Sequence, residues 1–243
     1  MTGKVALITG GSRGIGAEVV AGYRGRGWAV VATARAVRPS HEPDVLTIAG
    51  DIADPGTADR IVSATLDRFG RIDTLVNNAG VFISKPFTDY TATDYAAAVS
   101  VNLTGFFWLT QRVIAEMASR YGGHVVNVLA TPAEAANSGT PTVLAALTMG
   151  GLAAATWSLA IEYAAYGIRV NAVSPGAIQT PVHPAEAYDG LGDQLPPLGR
   201  VGQVGDVVDA ILFLESSPYI TGEILHVDGG QAAVARLADP PVR

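Results

Sequence analysis

The chain has 243 residues and a formal net charge of −6, with no basic cluster to neutralise phosphates, so nucleic acid is not an expected partner. Hydrophobic residues make up 49% of it, which excludes disorder and suffices for one large α/β domain with a full core. Cysteine is absent, which removes disulfides, thiolate chemistry and cysteine-based metal sites, and no metal is expected.

The opening MTGKVALITGG enters a strand almost at once, with no basic leader or cleavage motif, so a cytoplasmic location is expected. KVALIT is the first strand candidate; AVVATA, VLTIAG, TLVNNA, HVVNVL, IRVNAVS and ILHVDG follow in order. Each is a near-continuous apolar run, as in strands covered on both faces. Helical patterns over 15–25, 57–69, 93–121, 143–166 and 204–215 fall between them. This alternation predicts an α/β fold with a doubly wound parallel sheet of the Rossmann type, as a single domain over 1–230. The segment at about 177–201 is rich in Pro and Gly and too long for an ordinary connection, so it reads as a lid or substrate loop. Residues 231–243 read as a loose tail. The run 143–161 is long and apolar enough to raise the question of a membrane span. Its Ala, Gly, Leu and Thr content favours a buried helix instead, and no membrane partner is expected.

After the first strand comes Thr9-Gly10-Gly11-Ser12-Arg13-Gly14-Ile15-Gly16, opening a helix. Glycines there permit a tight turn and let backbone N–H groups approach a pyrophosphate seated on the helix N-terminus. In the first strand–helix turn of such a sheet, this pattern points to a dinucleotide. An NAD site usually carries an acid about 20 residues past the glycines, for the ribose 2′-hydroxyl. Arg35 stands in that place, and with Arg13 it supplies two guanidiniums suited to a 2′-phosphate. The expected cofactor is NADP(H).

These motifs resemble, in order and over almost the whole chain, those of the short-chain dehydrogenase/reductase family. TGGSRGIG is similar to its glycine turn, Asn77-Asn78-Ala79-Gly80 to the segment after its fourth strand, YGIRVNAVSPG to the strand and turn beside nicotinamide, and VDGG to its closing motif. The resemblance implies cofactor contacts at Gly10, Ser12, Arg13, Gly14, Ile15, Gly16, Arg35, Asp51, Ile52, Asn78, Ala79, Gly80, Pro175, Gly176, Ile178 and Thr180, with Asp51 at the adenine. It also implies a tetrad of Asn, Ser, Tyr and Lys, in which the Tyr hydroxyl transfers the proton and the nearby ammonium lowers its pKa. Only Asn102 matches. Ala130 stands at the Ser place, Ala145 at the Tyr place and Met149 at the Lys place. The chain's lysines are Lys4 and Lys85, and neither follows a tyrosine by one helical turn. The connection before the helix is longer than the family's, which leaves Thr131 and Ser138 as stand-ins for the Ser. Glu134, Tyr95, His183 and Tyr188 are alternative acids.

The resemblance therefore implies an NADP(H)-binding scaffold with a degenerate reaction centre, best read as the non-catalytic subunit of a hetero-oligomeric keto- or hydroxyacyl oxidoreductase. The alternatives are an NADP(H)-dependent oxidoreductase with an unusual proton donor, or a non-redox cyclase or lyase. A homo- or hetero-oligomer with an active subunit of the same family is expected, with a carrier-bound acyl group as a possible substrate. No charge falls between Glu134 and Glu162, so the helix there has no face suited to water and must be covered on all sides. In the resembling family a neighbouring subunit covers the side that the sheet leaves. Ala153, Ala154 and Ala155 suit close packing there, and Phe106, Phe107 and Trp108 are expected at the same seam.

Overall fold

In the computed structural model, residues 3–134, 140–181 and 195–233 are described. The first strand, β1 (Val5–Thr9), leads through the glycine turn into α1 (Gly14–Gly25), and β2 (Ala29–Ala34) and β3 (Val45–Ala49) follow. Then come α2 (Pro55–Phe69), β4 (Thr74–Asn77), α3 (Ala92–Ala98), α4 (Phe106–Ser119) and β5 (Gly123–Val128). A short α5 (Thr131–Glu134) and the long α6 (Val143–Glu162) precede β6 (Ile168–Pro175). The chain continues through β7 (Ile178–Gln179), β8 (Gly202–Gln203), α7 (Val204–Ser216) and β9 (Ile224–Val227). Seven strands form one parallel sheet in the order β3-β2-β1-β4-β5-β6-β9. The direction of winding reverses between β1 and β4, which opens a crevice at the carboxyl ends of those strands.

Alternation along each strand supplies both cores. On β1, Val5 and Leu7 join the apolar layer with Ile61, Val113 and Met117 beneath α2 and α4. Ala6 and Ile8 join the opposite layer, with Val19, Tyr23, Val207 and Ile211 of α1 and α7. The helix ends follow local chemistry. Asp54 caps α2 by accepting from Gly56 N at 3.1 Å, with Pro55 at the first turn. Gly70 ends that helix in a left-handed conformation (φ 73°).

Two expected elements are corrected. The helix expected over 93–121 is interrupted by a π-helical stretch, Val99–Gly105, which carries Asn102. The one expected to Tyr166 ends at Glu162, because Ala164–Tyr166 tightens into a 3-10 turn closed by Gly167 at φ 69°. The segment expected as a lid carries β7, and β8 just beyond it, joined in a two-stranded sheet; residues 182–194 lie outside the described part. Of the expected tail, residues 231–233 are described, and Ala232 N donates to Asp228 Oδ2 at 2.7 Å.

Among the described residues, α6 is a helix long and apolar enough to cross a membrane, with mean hydropathy 1.6. Here Leu144, Thr148, Leu152 and Thr156 are buried on one side, while Leu147 and Trp157 are exposed on the other. Phe107 and Ala154 are also exposed, but Phe106, Trp108 and Ala153 are not. Phe106 and Ala153 pack with Leu152 and Leu129 inside the molecule, and Trp108 packs against the core beneath α4, because successive helical positions point about 100° apart.

Candidate functional site

The glycine turn is built as its sequence requires. Gly10 and Gly14 have φ of 67° and 57°, where a side chain would be strained. Gly16 lies beneath the turn: a Cβ there would stand 2.2 Å from the Gly10 carbonyl oxygen. The end of β4 clamps the turn from the other side. Asn78 Nδ2 donates to Thr9 O at 3.0 Å, while Thr9 Oγ1 accepts from the backbone N of Asn78 and of Ala79, both at 2.9 Å. Arg13, in extended conformation, precedes α1, and its side chain does not cap the helix.

Beside the turn lies a crevice of about 600 Å³, and it brings together most of the expected cofactor residues. Gly10, Ser12, Arg13, Gly14, Ile15, Arg35, Asp51, Ile52, Asn78, Ala79, Gly80 and Thr180 all line it. Gly16, Pro175, Gly176 and Ile178 do not. Gly16 is spent on turn packing, Gly176 is pressed against the Asp228 backbone, and Ile178 is buried. Thr33, Ala34, Ala36, Gly50, Val81 and Val101 line the crevice without having been expected. The ends of β2 and β3 could have pointed to the first four, since ligands of such sheets bind beyond the carboxyl ends of strands.

Arg13 and Arg35 are exposed, and among the described residues neither pairs with a carboxylate. Thr33 Oγ1, at the end of β2, is buried without a hydrogen-bond partner among the described residues. Two unpaired guanidiniums, an orphaned hydroxyl and a glycine cradle fit an anionic dinucleotide. That group would supply a hydride or accept one; these residues would bind and orient it.

Farther along, the structure places Asn102, Ala130, Ala145 and Met149 as follows. Asn102 is buried and fully satisfied: Oδ1 accepts from Val81 N at 2.8 Å, and Nδ2 donates to Val81 O at 2.9 Å and to Thr148 Oγ1 at 3.0 Å. Ala145 and Met149 are buried and pack with Ala133 of α5 and with Ala130 in one apolar cluster. Met149 also lines a separate small cavity of about 10 Å³ with Asn77 and Asn102.

The longer connection after β5 folds back as α5 and is anchored to the sheet. Thr131 Oγ1 donates to Ser174 O at 3.0 Å, which removes Thr131 as a stand-in for the Ser. Ser174 Oγ donates to the Glu134 carboxylate, whose other oxygen lies 3.6 Å from His226 Nε2. Lys85 is engaged with Asp94 at 2.8 Å and holds that carboxyl at about 2, through its hydrogen bond first and those from Thr91 next. Tyr95 is exposed on α3. Ser138, His183 and Tyr188 lie outside the described residues.

The model of a family described as Enoyl-(Acyl carrier protein) reductase matches residues 10–232. The 3-oxoacyl-[acyl-carrier-protein] reductase FabG of Thermotoga maritima is 34% identical, over 95% of this chain and 98% of its own. The (2S)-[(R)-hydroxy(phenyl)methyl]succinyl-CoA dehydrogenase subunit BbsD of Thauera aromatica is 33% identical, over 96% and 98%. Among solved structures, the 3-ketoacyl-(acyl-carrier-protein) reductase of Brucella melitensis complexed with NADH superposes with a TM-score of 0.85 at 31% identity, covering 95% of this chain and 98% of that one. ElxO with NADP bound superposes with a TM-score of 0.85 at 29% identity, covering 95% and 99%.

Proposed function

The chain belongs to the short-chain dehydrogenase/reductase family, and from that premise we propose that it binds NADP(H) and serves as the non-catalytic subunit of a keto- or hydroxyacyl oxidoreductase. The observation that supports this reading is the cluster of Ala130, Ala133, Ala145 and Met149, apolar side chains that include the positions where the resemblance expects a Ser, a Tyr and a Lys. Without a positioned acid the reaction loses about 10²–10⁴-fold, and without the ammonium the deficit grows. The intact crevice, with Arg13 and Arg35 unpaired, supports retention of NADP(H). ElxO has been crystallised with NADP bound, and BbsD is named as a subunit of a dehydrogenase; both agree with a cofactor-binding chain that works in an assembly.

Glu134 supports a second reading, as the acid of an unusual oxidoreductase. It follows Ala133 of the apolar cluster directly, and Ser174 and His226 hold its carboxylate. One assay separates the readings. The purified chain is given NADPH and a β-ketoacyl thioester, alone and co-expressed beside an active reductase of this family. Expected are no NADPH oxidation alone, a hetero-oligomer by native mass spectrometry, and altered activity of the partner. Turnover of about 1 s⁻¹ or more by the chain alone would refute the non-catalytic role and move attention to Glu134. A homo-oligomer that turns nothing over and ignores the neighbour would favour the cyclase or lyase reading.

A further inference from the structure

We propose that α5 is an autoinhibitory cover: it packs over the places of Ala130, Ala145 and Met149 and keeps substrate off them. This rests on the reading above that those three positions mark the reaction centre, and it names what controls access to them.

Ala145 and Met149 are 2% and 7% exposed. Ala133, which α5 carries into one apolar cluster with both and with Ala130, is itself buried. The space left beside Met149 and Asn102 is about 10 Å³, room for about one water and for no larger molecule. Ala130, Ala133, Ala145 and Met149 do not line the crevice of about 600 Å³. The crevice is thus open where the tetrad places are shut.

The four residues of α5 make little more than one helical turn, and so short a helix has no stability of its own in water. Its place depends on ties to distant parts of the chain. Thr131 Oγ1 donates to Ser174 O at 3.0 Å, and Ser174 Oγ donates to the Glu134 carboxylate. The other Glu134 oxygen lies 3.6 Å from His226 Nε2. Ser174 and His226 are register partners on β6 and β9, so this one carboxylate spans two strands. Thr142 Oγ1 donates to Pro132 O at 2.8 Å and ties the helix to the entry of α6. Removing the Glu134 carboxylate should therefore let α5 leave the cluster and open the place beside Ala145.

The chain has no cysteine, so a single introduced thiol reports access without background. Ala145→Cys puts one at the covered place, and Leu147→Cys puts one on the exposed side of the same helix. The full chain carrying either thiol is treated with a maleimide in the absence of cofactor. Mass spectrometry follows the rate, and circular dichroism checks the fold. We expect Ala145→Cys to react at least about tenfold more slowly than Leu147→Cys. Glu134→Ala should speed the thiol at 145 by about tenfold and leave the one at 147 unchanged. Glu134→Gln, which keeps an oxygen for Ser174, should preserve the protection to within about threefold. Met149→Cys, in the same cluster, is read in the same way should Ala145→Cys not fold. A covered thiol that reacts within about threefold of Leu147→Cys, or whose rate Glu134→Ala leaves unmoved, would overturn the proposal. These rates are independent of turnover. An inactive chain with an open place at 145 keeps the non-catalytic reading and loses the cover; an active chain with a protected thiol there does the reverse.

Discussion

Gly16 shows how a single position can be required by packing rather than by ligand contact. Its missing Cβ leaves room for the Gly10 carbonyl, 2.2 Å from where that atom would stand, and for Asn78 Nδ2 at 2.6 Å. Gly16→Ala must push the turn outward, and overpacking of this kind costs about 1–3 kcal/mol. The expected outcome is a lower urea midpoint at unchanged m-value together with weaker NADPH binding; an unchanged midpoint would count against the tight packing of the turn. Residues of this type were legible, because a glycine-rich turn after an apolar strand has few physical alternatives. Counting along the chain assigned Ala130, Ala145 and Met149 to the Ser, Tyr and Lys places, and the structure gathers these three into one apolar cluster. Thr148 was not legible, since its bond to Asn102 joins residues 46 apart in sequence.

At the scale of elements, α6 carries the clearest unmet demand. Leu147, Trp157 and Ile161 are 62%, 52% and 82% exposed on a helix that has no charged residue before its last position, Glu162. Burying a large apolar side chain contributes about 1.5–3 kcal/mol, so three of them weigh heavily in an assembly. Trp157→Glu combined with Ile161→Lys should dissociate the proposed oligomer with no change in far-UV circular dichroism, and light scattering after gel filtration would read it. A wild-type chain that is already monomeric at micromolar concentration would remove the basis for this face as an interface. The apolar, uncharged run was plain in the sequence. The break at Val99–Gly105 was not, because a π-helical turn changes the hydrogen-bond step without changing the hydrophobic pattern that marks a helix. Nor was α5, four residues long and held by contacts to β6 and β9.

Over the whole molecule, a buried polar cluster joins α1 and α7 to the amino ends of β4, β5 and β6, opposite the crevice. Glu215 of α7 accepts from Thr74 Oγ1 at 2.7 Å, Tyr23 OH at 3.0 Å and His124 Nδ1 at 3.0 Å. His124 Nε2 faces Asn171 Nδ2 at 3.1 Å and Arg169 at 3.4 Å, which fits a neutral ring protonated on Nδ1. Burial lowers the His124 pKa below its ordinary 6.5, outweighing the pull of Glu215. Burial alone would raise Glu215, but the bonds from His124, Thr74 and Tyr23 hold its carboxyl below the ordinary 4.5. Both folded values lie below the unfolded ones, so both contributions are complete above those ordinary values. They are lost as pH falls, through His124 from 6.5 downward and through Glu215 from 4.5 downward. Urea midpoints at pH 8, 6.5 and 5 should therefore fall for the wild type between the last two. His124→Gln, which keeps a donor for Glu215 but cannot titrate, should flatten that fall; equal pH slopes would refute the role given to His124.

By itself the sequence determined the parallel sheet, the glycine turn and the two arginines. Each of these is written in local periodicity or in a residue's own chemistry, and such signals survive without knowledge of neighbours. Only the tertiary structure decided which polar groups remained unspent. Asn78 and Asn102 read alike as candidate site residues, yet packing turns both toward backbone, while the side chains of Thr33 and the arginines face the crevice without partners among the described residues. Whether a donor is available depends on what folding brings within hydrogen-bond distance of it, and for these groups the partners come from distant parts of the chain.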